Sequence, residues 1–292
     1  MEPPLVVGVD GSEPSLRATD WATDEAVRLG LPLRLVHASL WERYEGPSVA
    51  EGVRRPDERV LVERILTAAE ERARRRAPDL AIECDILPED TVGALLREGR
   101  LARALVTGAR GRGGMAALLL GSVSLSVAAR AACPVIVVRG DEASVAGTHG
   151  RVLLGVGDAD VDSTAVRFAF REAEARDCVL DVVRAWRSPV LDAADHVLFG
   201  GEPARRHEEE RARAVLDKAL DIAVRAHPDV RVRRATPEGS VGKVLVARSA
   251  TADLLVVGAR RRQGLVGLQL GRGAHTALHH AACPVAVVPH DL

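Results

Sequence analysis

Short aliphatic runs alternate with longer amphipathic stretches along the whole chain, and the whole alternation occurs twice. In the first half, Leu5–Val9, Leu33–Ala38, Leu80–Ile86, Ala104–Thr107 and Val135–Val138 read as strands. The first, fourth and fifth are aliphatic at nearly every position rather than at every second one, which is the signature of strands buried on both faces of a parallel sheet. Between them the apolar residues return at threes and fours. Leu16, Trp21, Ala22, Ala26 and Leu29 predict a helix that Gly30 stops. Val60, Leu61, Ile65, Leu66, Ala69 and Ala73 predict a long helix ending before Pro78. Val92, Leu95 and Leu96 mark a short one, and Val123, Val127, Ala128 and Ala131 mark a last one that stops at Pro134. Strand and helix in strict alternation predict an α/β fold, a doubly wound parallel sheet with helices on both faces.

The second half repeats the first. Leu5-Val6-Val7-Gly8-Val9 returns as Val152-Leu153-Leu154-Gly155-Val156, and Val36-His37-Ala38 as Val183-Arg184-Ala185, both at an offset of 147. Gly108-Ala109-Arg110 returns as Gly258-Ala259-Arg260, and Ala131-Ala132-Cys133-Pro134-Val135 as Ala281-Ala282-Cys283-Pro284-Val285, at an offset of 150. A repeat this long is a duplicated domain and not a solenoid. The expected domains are 1–140 and 151–292, joined by the small, polar, glycine-bounded stretch 140–150.

Composition narrows the classes. The 292 residues carry a net charge of −1, so no global field selects nucleic acid or an anionic membrane. The arginine runs Arg74–Arg76 and Arg231–Arg234 have no interleaved aromatics and read as solvated faces. No apolar run approaches the length of a membrane span, and the N-terminus lacks a basic signal region, so a cytoplasmic protein is expected. The aromatic share of 2% leaves the cores to Val, Leu, Ile and Ala. Cys84, Cys133, Cys178 and Cys283 form no C-x-x-C pair and read as buried free thiols. His275 and His279 are one helical turn apart, but no Cys, Asp or Glu near them completes a set, so no metal site is expected.

In doubly wound sheets the ligand lies beyond the carboxyl ends of the strands, so the residues after each strand are the candidates. After the fourth strand comes Gly108-Ala109-Arg110-Gly111-Arg112-Gly113-Gly114, and Gly121-Ser122-Val123-Ser124 opens the last helix. Glycines let backbone amides approach phosphate oxygens. Ser122 is placed to cap the helix, and the amides of Val123 and Ser124 favour an anion at its N-terminus. Arg110 and Arg112 add positive charge. Asp10-Gly11-Ser12 follows the first strand, where Asp10 is an acceptor for a base edge, a ribose hydroxyl or a phosphate-bound Mg2+; the other use for it is a cap on the first helix. Ala38, after the second strand, is small enough to border an adenine ring. A Walker A loop is excluded because the loop has no lysine, and the dinucleotide fingerprint because the loop follows the fourth strand and Arg130 stands where an acid belongs.

Gly108-x2-Gly111-x9-Gly121-Ser122, with Val9-Asp10 upstream and Cys133-Pro134-Val135 downstream, resembles the G-2x-G-9x-G-[ST] pattern of the universal stress protein family, in its ATP-binding branch. The resemblance spans both halves and implies a tandem member, each half a five-stranded parallel sheet in the order 3-2-1-4-5. It implies ATP across the first and fourth strands. Residues matching Val9, Asp10 and Ala38 would meet the adenosine. Those matching Gly108, Arg110, Gly111, Gly121, Ser122, Val123 and Ser124 would surround ribose and phosphates. It also implies pairing through the last strands, Val135–Val138 with Val285–Val288 inside one chain or between chains of a homodimer.

The second copy departs from the pattern. Arg261 replaces the second glycine, Arg272 replaces the serine, and Gly157 stands at the place of Asp10 with Asp158 next to it. A side chain at 261 fills space where backbone should approach phosphate, and Arg272 removes the capping hydroxyl. The expectation is at most one well-bound adenine nucleotide per chain, in the first half, in a stress-response protein that regulates and does not catalyse. No nucleophile and general base pair within the loop. Two alternatives stand: a slow ATPase or a self-phosphorylating protein using Ser122 or Ser124, and a scaffold with both sites empty.

Overall fold

The structure, a computed structural model, describes residues 2–39, 56–111, 120–157, 164–187, 202–261 and 268–290. The chain forms two compact units, one built on residues up to Arg139 and one on the residues from Gly140.

The first unit is β1 (Leu5–Gly8), α1 (Glu13–Leu29), β2 (Leu33–Ala38), α2 (Pro56–Arg76), β3 (Ile82–Leu87), α3 (Thr91–Glu98), β4 (Ala104–Gly108), α4 (Ser122–Ala128) and β5 (Val135–Val138). Its strands are ordered β3-β2-β1-β4-β5, and the pairs β1–β2, β1–β4, β2–β3 and β4–β5 are all parallel. Strand order therefore reverses between β1 and β4, and a crevice opens beyond their carboxyl ends. The chain is α/β with tandem parallel-sheet domains, as its alternation predicts.

Local sequence explains each element. Ser12 caps α1, its hydroxyl accepting from the Ser15 amide at 3.4 Å, and Gly30 ends the helix in the left-handed region at φ 66°. The helix buries Ala18, Trp21, Ala22 and Ala26. Arg72 of α2 donates to both carboxylate oxygens of Asp20 on α1, at 2.7 and 2.6 Å, and Arg76 pairs with Asp24 one turn on. β4 and β5 are buried at every position, which an aliphatic run with no alternation requires. Two expected boundaries move. The third strand starts at Ile82 because Leu80 is taken into a turn by the Ala77 carbonyl. The last helix ends at Ala128, well short of Pro134.

The second unit opens inside the stretch expected to be a plain linker. Asp141 caps a one-turn helix α5 (Glu142–Val145), accepting from the Ser144 amide at 2.8 Å. Then follow β6 (Arg151–Gly155), α6 (Thr164–Ala175), β7 (Val179–Val183), α7 (Glu202–Ala226), β8 (Val232–Ala235), α8 (Val241–Ser249), β9 (Leu254–Arg261), the two-residue β10 (Leu268–Gln269), α9 (Arg272–His280) and β11 (Val285–Pro289). The order β8-β7-β6-β9-β11 repeats that of the first unit, again all parallel. Asp253, buried before β9, accepts from the amides of His149 and Arg151 at 2.8 and 2.9 Å and so fixes where β6 begins.

Candidate functional site

A cavity of about 390 Å³ lies in the first unit at the carboxyl ends of β1, β2 and β4. It draws Val9 and Asp10 from the end of β1, Ala38 from β2, Gly108, Arg110 and Gly111 from the end of β4, and Gly121, Ser122, Val123 and Ser124 from the start of α4. These are ten of the thirteen residues the sequence singles out, so chain segments separated by about a hundred positions converge on one hollow. Gly11 and Ser12 are not on its wall. Their work is local: Gly11 turns the chain at φ 77°, and Ser12 caps α1. Arg112 lies outside the described residues.

The geometry corrects the reasons given for several residues. Ser122 does not cap α4. The N-cap is Gly121, at φ −70° and ψ 147°, with no side-chain bond, and Ser122 is the first helical residue, exposed. Ser124 is buried, and its hydroxyl donates to the Gly108 carbonyl at 2.7 Å, tying the first turn of α4 to the end of β4. Of the two serines, only Ser122 presents its hydroxyl to solvent. Asp10 does not cap α1 either. Its Oδ1 accepts from the Ser12 amide at 3.0 Å and the Ser12 hydroxyl at 2.6 Å, holding the turn that leads into the helix.

The three motif glycines differ in what they accommodate. A Cβ on Gly108 would sit 2.6 Å from the backbone of Pro14, so this glycine admits the start of α1 against β4. A Cβ on Gly111 would sit 2.5 Å from Asp10 Oδ2, so this glycine brings the loop onto the carboxylate. A Cβ on Gly121 would meet nothing closer than the Ala109 carbonyl at 3.4 Å, an ordinary contact. Only Gly121 is therefore free of a packing demand from the described protein, and it lies on the cavity wall.

Sequence reasoning missed much of the wall. Gly8, Ser15, Val36, His37, Leu87, Thr91, Ala94, Leu95 and Thr107 also line the cavity. Most are core-like residues of strands and of α3, and no local motif marks them; only folding α3 over the sheet brings them there. His37 Nδ1 lies 2.6 Å from the Val9 carbonyl. A carbonyl only accepts, so Nδ1 is the donor in this contact.

In the second unit the matched segment is built differently. β9 runs on through Gly258, Ala259 and Arg260 to Arg261, whereas β4 ends at Gly108. The N-cap of α9 is Gly271, again with no side-chain bond, and Arg272 is its first residue. Loss of a serine cap therefore does not distinguish the two copies, since neither has one. What distinguishes them is the path of the chain after the fourth strand. Asp158 lies outside the described residues. His275 and His279 stack with ring centroids 4.6 Å apart.

The family model described as the universal stress protein family matches residues 2–139 and again 148–289. The chain belongs to the universal stress protein family. A universal stress protein of Mycobacterium tuberculosis is 33% identical over 290 residues, covering 97% of this chain and 96% of that one. One from Mycolicibacterium smegmatis is 30% identical over 296 residues, covering 97% and 96%. Among solved structures, a universal stress protein from Archaeoglobus fulgidus superposes with a TM-score of 0.62 at 17% identity, covering 98% of both chains. That likeness is one of fold. No helix among the described residues is long and apolar enough to cross a membrane.

Proposed function

We propose that the first unit binds ATP in the cavity beyond β1, β2 and β4, and that the chain acts in a stress response as a nucleotide-dependent regulator and not as a catalyst. The observation that carries this reading is the convergence on one hollow of the Gly108–Gly111 turn, the start of α4 and the end of β1. The wall divides into two chemistries that suit the two ends of a nucleotide. Val36, Ala38, Leu87, Ala94 and Leu95 form an apolar end for a base. Gly121, Ser122, Val123 and the exposed Arg110 offer backbone donors and positive charge for phosphates. Asp10 is the carboxylate on the described wall that would meet Mg2+ carried by the nucleotide.

The second unit, in this proposal, takes no ATP and serves as a structural or regulatory partner. The halves 1–140 and 151–292 are proposed as its functional modules, and pairing between chains as a further level of control that sedimentation with and without ATP would read.

Calorimetric titration tests the reading. Wild type should bind about one ATP per chain. Gly121→Ala should keep the wild-type melting temperature, because its methyl meets no atom of the described residues closer than 3.4 Å, and should weaken ATP at least about tenfold by intruding on the wall. Absence of ATP binding, or full binding by the variant, would sink it. The self-phosphorylation alternative narrows to Ser122, since the Ser124 hydroxyl is engaged by Gly108; release of ADP that disappears in Ser122→Ala would favour it.

A further inference from the structure

One buried polar side chain on the cavity wall is left without a hydrogen-bond partner among the described residues. Thr107 is 4% exposed, and its hydroxyl oxygen finds no hydrogen-bond partner among the described residues. Leaving a buried hydroxyl unpaired is costly. The repeat supplies the control for this position. Thr107 immediately precedes Gly108, and Val257 immediately precedes Gly258 in the second copy. Val257 is also 4% exposed, at the same place on the fourth strand of its sheet. Threonine and valine have the same shape, so the fold packs this site equally well without a hydroxyl. The copy that keeps the hydroxyl is the one whose residue lines the cavity.

We propose that the Thr107 hydroxyl hydrogen-bonds to the nucleobase of the bound nucleotide and orients it. The inference rests on the reading of the cavity as an adenine-nucleotide site. Its surroundings select the part of the ligand. Thr107 follows Val106, the register partner of Val7, so it stands level with Gly8 on the neighbouring strand, and the Cβ position of Gly8 is 3.2 Å from Leu95; a phosphate against this apolar side chain would be stripped of water. Arg110, an exposed cation of the wall, comes two residues after the end of β4. An uncharged, flat group with polar edges is what this end accepts. A hydroxyl both donates and accepts, so it can serve a ring nitrogen or an amino group.

The experiment compares Thr107→Val and Thr107→Ser with wild type, by titration with ATP and with adenosine and by thermal melting without ligand. Thr107→Val should weaken ATP and adenosine by the same factor, about tenfold, and should melt at or above wild type because an unpaired hydroxyl is replaced by a methyl. Thr107→Ser should stay within about threefold of wild type for both ligands. Equal binding by wild type and Thr107→Val overturns the inference while leaving the site's reading intact. A loss for ATP but not adenosine assigns the contact to the phosphates and overturns it. So does an equal loss in the serine variant, which makes the effect one of shape, and so does a valine variant that melts below wild type, which gives the hydroxyl a partner inside the protein. A wild type that binds no adenine nucleotide removes the reading and this inference together.

Discussion

The two units share a sheet order and differ in one turn. In both, a leucine from the helix before the fourth strand lies against a glycine of the first strand: Leu95 is 3.2 Å from the Cβ position of Gly8, and Leu245 is 3.1 Å from that of Gly155. In both, the helix after the fourth strand starts on a glycine N-cap without side-chain help. The divergence begins one residue before the fourth strand would end. In the first unit Thr107 is followed by a glycine that admits the backbone of Pro14, the strand stops, and the Ser124 hydroxyl holds the Gly108 carbonyl. In the second, Val257 is followed by a strand that continues to Arg261, and Ala274 stands where Ser124 would be. The comparison teaches that the core of this fold is indifferent to the site. The differences named here sit at the carboxyl ends of the first and fourth strands and at the start of the following helix.

The largest effect is expected at Gly108. Gly108→Ala places a methyl 2.6 Å from Pro14 backbone atoms, where nothing can rotate away. Urea denaturation should show the first unit losing about 2–3 kcal/mol, at the upper end of overpacking costs. Retained stability would mean that α1 can shift, and the motif glycine would then be a ligand requirement after all.

Next in size is a property of the first unit's core. Burial disfavours the thiolate and pushes Cys133, matched by Cys283, up to about 11. The half-buried Cys84 is likewise pushed up to about 11, by burial and then by Glu70. Alkylation of folded protein at pH 8 should therefore run about a hundredfold slower than for a free thiol of ordinary acidity, and should climb about tenfold per pH unit toward 11. The linkage has a definite sign. The unfolded chain gives up these protons first, so their contribution to stability is full below about pH 9 and is lost as pH rises through 11. Rapid labelling at pH 8 would show that the first unit opens locally.

Ser124→Ala gives the first unit the residue found at 274. Removing the bond to the Gly108 carbonyl should cost about 1 kcal/mol, read as a lower urea midpoint at unchanged slope, with ATP affinity falling in step. An unchanged midpoint would mean that the carbonyl finds another donor.

The smallest expected effect is none. Arg261→Gly with Arg272→Ser restores the motif letters in the second copy, yet titration should still return about one ATP per chain. β9 continues past Gly258, and Val257 and Ala274 remain without hydroxyls. A second equivalent of ATP would show that the arginines alone closed that site.

The site was legible in the sequence as a set of strand ends and glycine spacings, and ten of the expected residues line the cavity. The reasons attached to them were less legible. Serine commonly caps, so the sequence points to Ser122, but the chain enters α4 one residue earlier and Gly121 takes the position. The glycine spacing suggests that Gly108 gives access to phosphate, but its neighbour is Pro14, a contact across 94 positions that no local pattern reveals. Thr107 reads in the sequence as a core strand residue, which it is; that its hydroxyl has no partner among the described residues depends on neighbours far away in the chain.

The sequence by itself determined that there are two copies, that each is a parallel α/β sheet, and which strand ends matter. Those properties follow from hydrophobic period and from glycine and proline placement, which act over a few residues and can be read locally. Tertiary structure alone decided which glycine is forced by packing, which serine holds a carbonyl and which is exposed, and that α3 walls the cavity. Those depend on distances between segments far apart in the chain, set by how helices settle on the sheet.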